Sequence, residues 1–210
     1  SVAEELFYNG VDVITSGNHV FDKKDSIPYL NQVDRLIRPA NYPEDVPGKG
    51  VTTITINNVK IAVINLSGLV FMEPIRCPFK TIGEELDKLD DDVKIKRVDF
   101  HAEATSEKVC MGWYLDGKVS GIVGTHTHVP TADERILPSG TGYITDIGMT
   151  GPHDSVLGRK TESVLKSFRT QQPFPFEVAF DDVRISGILV TVDSNTKKAE
   201  YIERINVTAD

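Results

Sequence analysis

Three runs rich in β-branched residues each lead into a short segment that carries histidine. Val11-Asp12-Val13-Ile14-Thr15 leads to Gly17-Asn18-His19, Val93-Lys94-Ile95-Lys96-Arg97-Val98 to Asp99-Phe100-His101, and Val119-Ser120-Gly121-Ile122-Val123 to Thr125-His126-Thr127-His128. Strands of a parallel sheet set their C-terminal ends along one edge, and ligands bind at that edge. The pattern therefore asks for a fold with several parallel strands. It also gathers four of the chain's five histidines into what reads as one site of imidazole and amide ligands. Imidazole suits Zn, Mn and Fe. The fifth, His153, reads as a solvated loop histidine.

The spacing along the chain predicts one α/β domain over residues 1–210, long enough for a sizeable core. Ser1 to Asn9 reads as a helix closed by Gly10, and Val11 to Thr15 as a strand. Ser26 to Gln32 is a short helix containing Pro28. Val51 to Ile56 and Val59 to Leu66 are strands, and the two-residue loop Asn57-Asn58 suits a type I′ hairpin because Asn tolerates positive φ. Thr81 to Leu89 is a helix with Thr81 as N-cap and Glu84 three residues on. Val93 to Asp99, Val119 to Val123, Ile136 to Pro138 and Tyr143 to Asp146 are strands or strand pieces, with a helix over Ser106 to Leu115. After a helix at Thr161 to Thr170, three strands follow: Phe176 to Phe180, Val183 to Val192 and Ala199 to Val207. Apolar residues on both faces of the middle one predict a sheet buried on both sides, as in a sandwich layer. The expected architecture has two packed sheets with helices outside.

Composition excludes several functions. A net charge of −8 repels a nucleic-acid backbone, so no duplex nucleic acid is expected as partner. It does not exclude a small phosphate ester at a metal centre, where the cations set the local field. Two cysteines, Cys77 and Cys110, form no metal motif and read as buried small hydrophobes in a reducing compartment. No apolar run reaches the ~20 residues of a membrane span. A cytoplasmic location without membrane partners is expected.

With these segments in hand, the chain resembles the calcineurin-like metallophosphoesterases. Gly17-Asn18-His19 is similar to their GNH motif, Thr125-His126-Thr127-His128 to their GHxH motif with Thr125 in the usual Gly place, and His101 to the lone histidine between them. Arg38-Pro39-Ala40-Asn41, Pro47-Gly48-Lys49-Gly50, the stretch from Asp99 to Lys108 and that from Tyr143 to Pro152 resemble the YmdB-like branch in particular. The resemblance implies a four-layer αββα sandwich, a dinuclear centre of Fe or Mn type with Zn as a further option, and phosphodiesterase activity on cyclic nucleotides. Two metals in such a centre activate a water and clamp phosphate oxygens.

Carried over residue by residue, the resemblance makes Asn18, His101 and His126 ligands of one metal and His128 a ligand of the other. It makes His19 the general acid or hydrogen-bond donor beside the phosphate. Asp99 and Asp146 are candidates to hold an imidazole N–H behind the ligands. Such proteins open with strands carrying a metal-binding Asp and a bridging Glu beside an Asn. Neither motif occurs in these 210 residues, so the chain reads as N-terminally truncated and its second metal as doubtful. The small phosphodiester or cyclic-nucleotide substrate has two competitors: a phosphomonoester, with the same metal chemistry, and a non-catalytic metal- or nucleotide-binding regulatory role. A homo-oligomer is compatible with all three.

Overall fold

A computed structural model describes residues 1–209. Its elements in chain order are α1 (Val2–Tyr8), β1 (Ile14–Thr15), α2 (Ser26–Gln32), β2 (Leu36–Ile37), β3 (Val51–Ile56), β4 (Val59–Ser67), α3 (Pro78–Asp87) and β5 (Ile95–His101). They continue as α4 (Thr105–Leu115), β6 (Gly121–Thr125), β7 (Arg135–Ile136), β8 (Gly142–Ile144), β9 (Gly151–Pro152), α5 (Thr161–Thr170), β10 (Val183–Val192) and β11 (Ala199–Thr208).

The main sheet has six strands in the order β3-β4-β5-β6-β8-β7. β4, β5, β6 and β8 run parallel, while β3 and β7 close the edges antiparallel. The sequence explains this placement. Ile61-Ala62-Val63-Ile64 and Leu66 in β4 are apolar on successive positions, which suits a strand covered on both faces. On one face Ile64, Leu66, Val98 and Phe100 pack with Ile82 of α3 and with Met111 and Leu115 of α4. On the other face Ile61, Ile95 and Val123 look across a cleft to Ile188, Val190 and Val192 of β10. That strand belongs to the antiparallel sheet β11-β10-β9, and β1 and β2 form a separate parallel pair. The chain thus has the expected class, two sheets face to face with helices outside. The Asn57-Asn58 hairpin is also as expected, with φ of 49° and 64°.

Several local expectations are corrected. α3 starts one turn before Thr81, because Pro78 at N1 brings a preset φ and no N–H that needs a partner. Thr81 is buried inside the helix, and its hydroxyl has no hydrogen-bond partner among the described residues. Only Ile14–Thr15 of the first strand is paired, since β2 offers just two residues opposite it. Phe176 to Phe180 is not a strand. A single bridge joins Val178 to Arg159, and Pro173 and Pro175 interrupt the backbone just before it. β10 is covered on one face only, with Ile185 and Leu189 about half exposed at 52% and 51%. Cys110 is exposed and Cys77 half-buried, where both were expected to be buried, and both are free. His153 is not solvated: its Nδ1 lies 2.9 Å from the Gly151 carbonyl oxygen. No helix among the described residues is long and apolar enough to cross a membrane.

Candidate metal centre

β5 and β6 are neighbours in parallel register, so their last residues, His101 and Thr125, lie side by side at the C-terminal edge of the main sheet. The β1 end delivers Gly17 and Asn18 to the same edge. A Cβ on Gly17 would lie 2.3 Å from His101 Nε2, so only glycine lets this backbone approach the imidazole. Asn18 Oδ1 is then 2.9 Å from His101 Nε2, and His126 Nδ1 is 3.0 Å from the same nitrogen. The two imidazoles meet edge to face with centroids 4.7 Å apart.

The hydrogen-bond network fixes where the His101 proton sits. Thr125 Oγ1 donates its single proton to Asp99 Oδ1 at 2.8 Å. Its contact with His101 Nδ1, at 3.1 Å, must therefore be donated by the imidazole N–H. His101 Nε2 is left with its lone pair. On the other ring, His126 Nε2 lies 3.1 Å from Glu103 Oε2, an ion pair when that ring is protonated, and Nδ1 faces the His101 Nε2 lone pair. Asn18 Oδ1, His101 Nε2 and His126 Nδ1 thus converge on one place, two of them lone pairs and the third a ring nitrogen that accepts or donates according to its tautomer. A cation resolves such an arrangement. Two neutral imidazoles and an amide oxygen form a donor set that fits a transition-metal ion. Among the described residues no group of three His, Cys, Asp or Glu side chains has metal-holding geometry. The trio escapes that description because one of its members is an amide.

Electrostatics keep the imidazoles neutral. Burial, reinforced by the neighbouring His126 and Lys108, holds the His101 pKa down to about 4. Burial also lowers that of His126, with Lys108 and His128 acting in the same direction and Glu103 against them. Burial pushes the Asp99 carboxyl above its ordinary range, opposed by hydrogen bonds from Thr15 and Thr125. The loop after β6 is held in left-handed backbone, with φ of 102° at His126 and 66° at His128, conformations that cost energy and cluster at functional sites.

The other candidates sit around this trio. His128 is exposed and makes no hydrogen bond among the described residues, so it stands beside the trio rather than within it. His19 is exposed too, with Nδ1 2.8 Å from Asp22 Oδ2. Neither Asp99 nor Asp146 touches an imidazole. Asp99 reaches His101 only through the Thr125 hydroxyl. Asp146 binds the Lys108 ammonium at 2.6 Å and the Thr127 hydroxyl at 2.6 Å, pinning the loop between His126 and His128. Four contributors, Glu103, Thr125, Asp22 and Lys108, had no role in the sequence reading. Glu103 and Asp22 follow a site histidine by two and three residues. Thr125 had registered only as a departure from a motif glycine, and Lys108 comes from a helix.

The match to a YmdB-like protein family model runs over residues 1–205, nearly the whole chain. The chain belongs to the YmdB-like family. A Bacillus subtilis relative named 2′,3′-cyclic-nucleotide 2′-phosphodiesterase is 48% identical over 209 residues, covering 100% of this chain and 79% of the relative. A solved protein from Thermus thermophilus, titled hypothetical, superposes with a TM-score of 0.93 at 35% identity, over 99% of this chain and 81% of that one. A structure titled a novel phosphatase from Mycoplasma pneumoniae gives 0.90 at 39% identity, over 98% and 75%. The YmdB-like chain therefore has the metallophosphoesterase type of α/β fold that the motifs implied.

Proposed function

We propose that this YmdB-like chain hydrolyses small phosphodiesters, cyclic nucleotides foremost. The observation that carries the reading is the convergence of Asn18 Oδ1, His101 Nε2 and His126 Nδ1, within 3.0 Å of one another through His101 Nε2, at the C-terminal edge of the sheet. Asn18, His101 and His126 would hold a divalent transition metal, Fe or Mn in first place, and His128 would reach towards a second. Metal bound there supplies an activated water and a positive charge for the phosphoryl oxygens. The rest falls to the protein. Asp99 and Thr125 keep His101 in the Nδ1–H tautomer, so that Nε2 faces the ligand. With a metal on Nδ1 the His126 proton would sit on Nε2, which lies 3.1 Å from Glu103 Oε2. Asp22 accepts from His19 Nδ1–H, orienting that ring to give a proton from Nε2 to the leaving alkoxide. The cyclic-nucleotide preference is carried over from the name of the Bacillus subtilis relative. A net charge of −8 favours small substrates over duplex nucleic acid.

The test uses the full-length gene product with Mn²⁺. Turnover is compared on 2′,3′-cyclic AMP, bis-p-nitrophenyl phosphate and p-nitrophenyl phosphate. The expected result is faster hydrolysis of the diesters, abolished by chelator. A preference for the monoester would replace this reading with a phosphomonoesterase. Binding of the cyclic nucleotide without turnover of any of the three would replace it with a regulatory binding protein.

A further inference from the structure

A cavity of about 630 Å³ lies away from the histidines. It lies at the opposite end of β5, between the end of α3, the turn from α4 into β6, the loop at Ser139-Gly140 and the turn joining β10 to β11. Lys96 and His101 are five residues apart on one strand, which separates the two places by about 17 Å.

Five lysines line this cavity: Lys94, Lys96, Lys118, Lys197 and Lys198. They come from three separate segments, and one carboxylate, Asp87, lines the cavity with them. Among the described residues none of the five meets a carboxylate within salt-bridge distance. Elsewhere among the described residues five of nine lysines are ion-paired: Lys49 with Asp34, Lys60 with Asp90 and Asp92, Lys88 with Glu85, Lys108 with Asp146 and Lys160 with Glu177. In a chain of net charge −8, five unpaired ammonium groups from three segments face one concave place. Their mutual repulsion is a standing cost that an anion would remove.

The walls support the charge. Lys118 Nζ is set 3.9 Å above the Tyr114 ring, and that ring packs edge on against Phe79 at 5.6 Å. A Cβ on Gly140 would lie 2.7 Å from Lys198 Cγ and Cδ, so the bare backbone there seats the Lys198 stem. A Cβ on Gly83 would meet only the Tyr114 hydroxyl, at 3.8 Å, so that wall of α3 is left open. Ser120, Ser139 and Thr196 add hydroxyls. No arginine lines the cavity. Lysine is a compact point charge with three rotatable donors, suited to several tetrahedral phosphates rather than to the planar two-pronged grip on a carboxylate that arginine gives. The volume is that of a small-molecule site.

We infer that the lysine cavity at the N-terminal end of β5 is a second binding site, for a small molecule carrying a run of phosphates, separate from the metal centre. The run could belong to inorganic polyphosphate or to a nucleoside triphosphate, and the experiment tells the two sources apart. The full-length protein is titrated calorimetrically with tripolyphosphate, ATP and AMP at fixed salt. Tripolyphosphate should bind and AMP should bind at least about tenfold more weakly. ATP tighter than tripolyphosphate would assign the site to a nucleotide, and the reverse to inorganic polyphosphate. Lys96→Glu with Lys118→Glu should weaken tripolyphosphate by at least about tenfold and leave turnover of bis-p-nitrophenyl phosphate unchanged. Lys197→Glu, in an exposed turn remote from the core, repeats the test should the double variant fold poorly. Lys23→Glu with Lys24→Glu changes the same net charge elsewhere and should leave binding as it was. Tripolyphosphate binding that is absent, or that survives the cavity variants, or that falls equally in the Lys23 and Lys24 control, overturns the inference.

Discussion

The two ends of β5 carry opposite chemistry on one rigid strand. At the C-terminal end, ligand atoms converge: Asn18 Oδ1, His101 Nε2 and His126 Nδ1, with the His101 proton turned away towards Thr125. At the N-terminal end, donors converge, as unpaired ammonium groups. One end asks for a cation and the other for an anion. They also differ in how they are built. The histidine end is held by buried partners and strained backbone, so its geometry is set before anything binds. The lysine end is mostly exposed side chains on flexible stems around a firm wall. Preorganisation favours catalysis at the first end, and adaptable electrostatic capture suits the second.

The largest effect should come from His19, a site residue outside the converging ligand atoms. His19→Ala is expected to lower kcat by about 10²–10⁴-fold, the range for a lost general acid. Metal content by elemental analysis should stay at the wild-type level, because His19 points to Asp22 and not into the trio. Loss of metal in this variant would make His19 a ligand and collapse the division between acceptors and proton donor at that end.

What could be read from the sequence follows the same division. The parallel strands and the order of their histidine-bearing ends were legible, because period-two runs and strand-end polar segments are local signals. So were α2, α5 and the Asn57-Asn58 hairpin. The tautomer relay was not, since Thr125 and Asp99 meet only after β5 and β6 pair in register. Asp146 and Lys108 lie 38 residues apart, and nothing in either segment announces the partner. The start of α3 was misread because Thr81 and Glu84 imitate a capping box, while Pro78 set the true start one turn earlier. The lysine cavity escaped because its members come from three segments, each of which reads alone as solvated charge.

A second break in the comparison concerns stability. Lys108 and Asp146 are 2% and 1% exposed, and their ion pair lies behind the histidine loop. Lys108→Met keeps the length of the side chain and strands the Asp146 carboxylate in the interior. It should cost about 3–5 kcal/mol, the usual penalty for removing one partner of a buried pair. Urea denaturation followed by circular dichroism measures it. Lys118→Met at the other end removes an exposed charge that has no ion-pair partner among the described residues and rests on the Tyr114 ring, and it should leave the midpoint almost unmoved. Equal midpoint losses in the two variants would mean that the two ends are not built differently.

The smallest effect tests the relay itself. Thr125→Val preserves shape on β6 and deletes the one hydroxyl that both donates to Asp99 and accepts from His101 Nδ1–H. His101 keeps its place, because packing and the β5–β6 pairing set it. Its ring loses the partner that fixes the proton on Nδ1, so a larger share of molecules carries the proton on Nε2, where it blocks the lone pair that faces Asn18 and His126. Residues that orient a ligand from behind are typically worth about 10–100-fold in metal affinity, and a loss in that range is expected for Mn²⁺ measured by competition with a chelating dye. Thr125→Ser restores the hydroxyl without the methyl and should bind as the parent does. If valine and serine behave alike, the hydroxyl is idle and the proton assignment that makes this end an acceptor site is wrong.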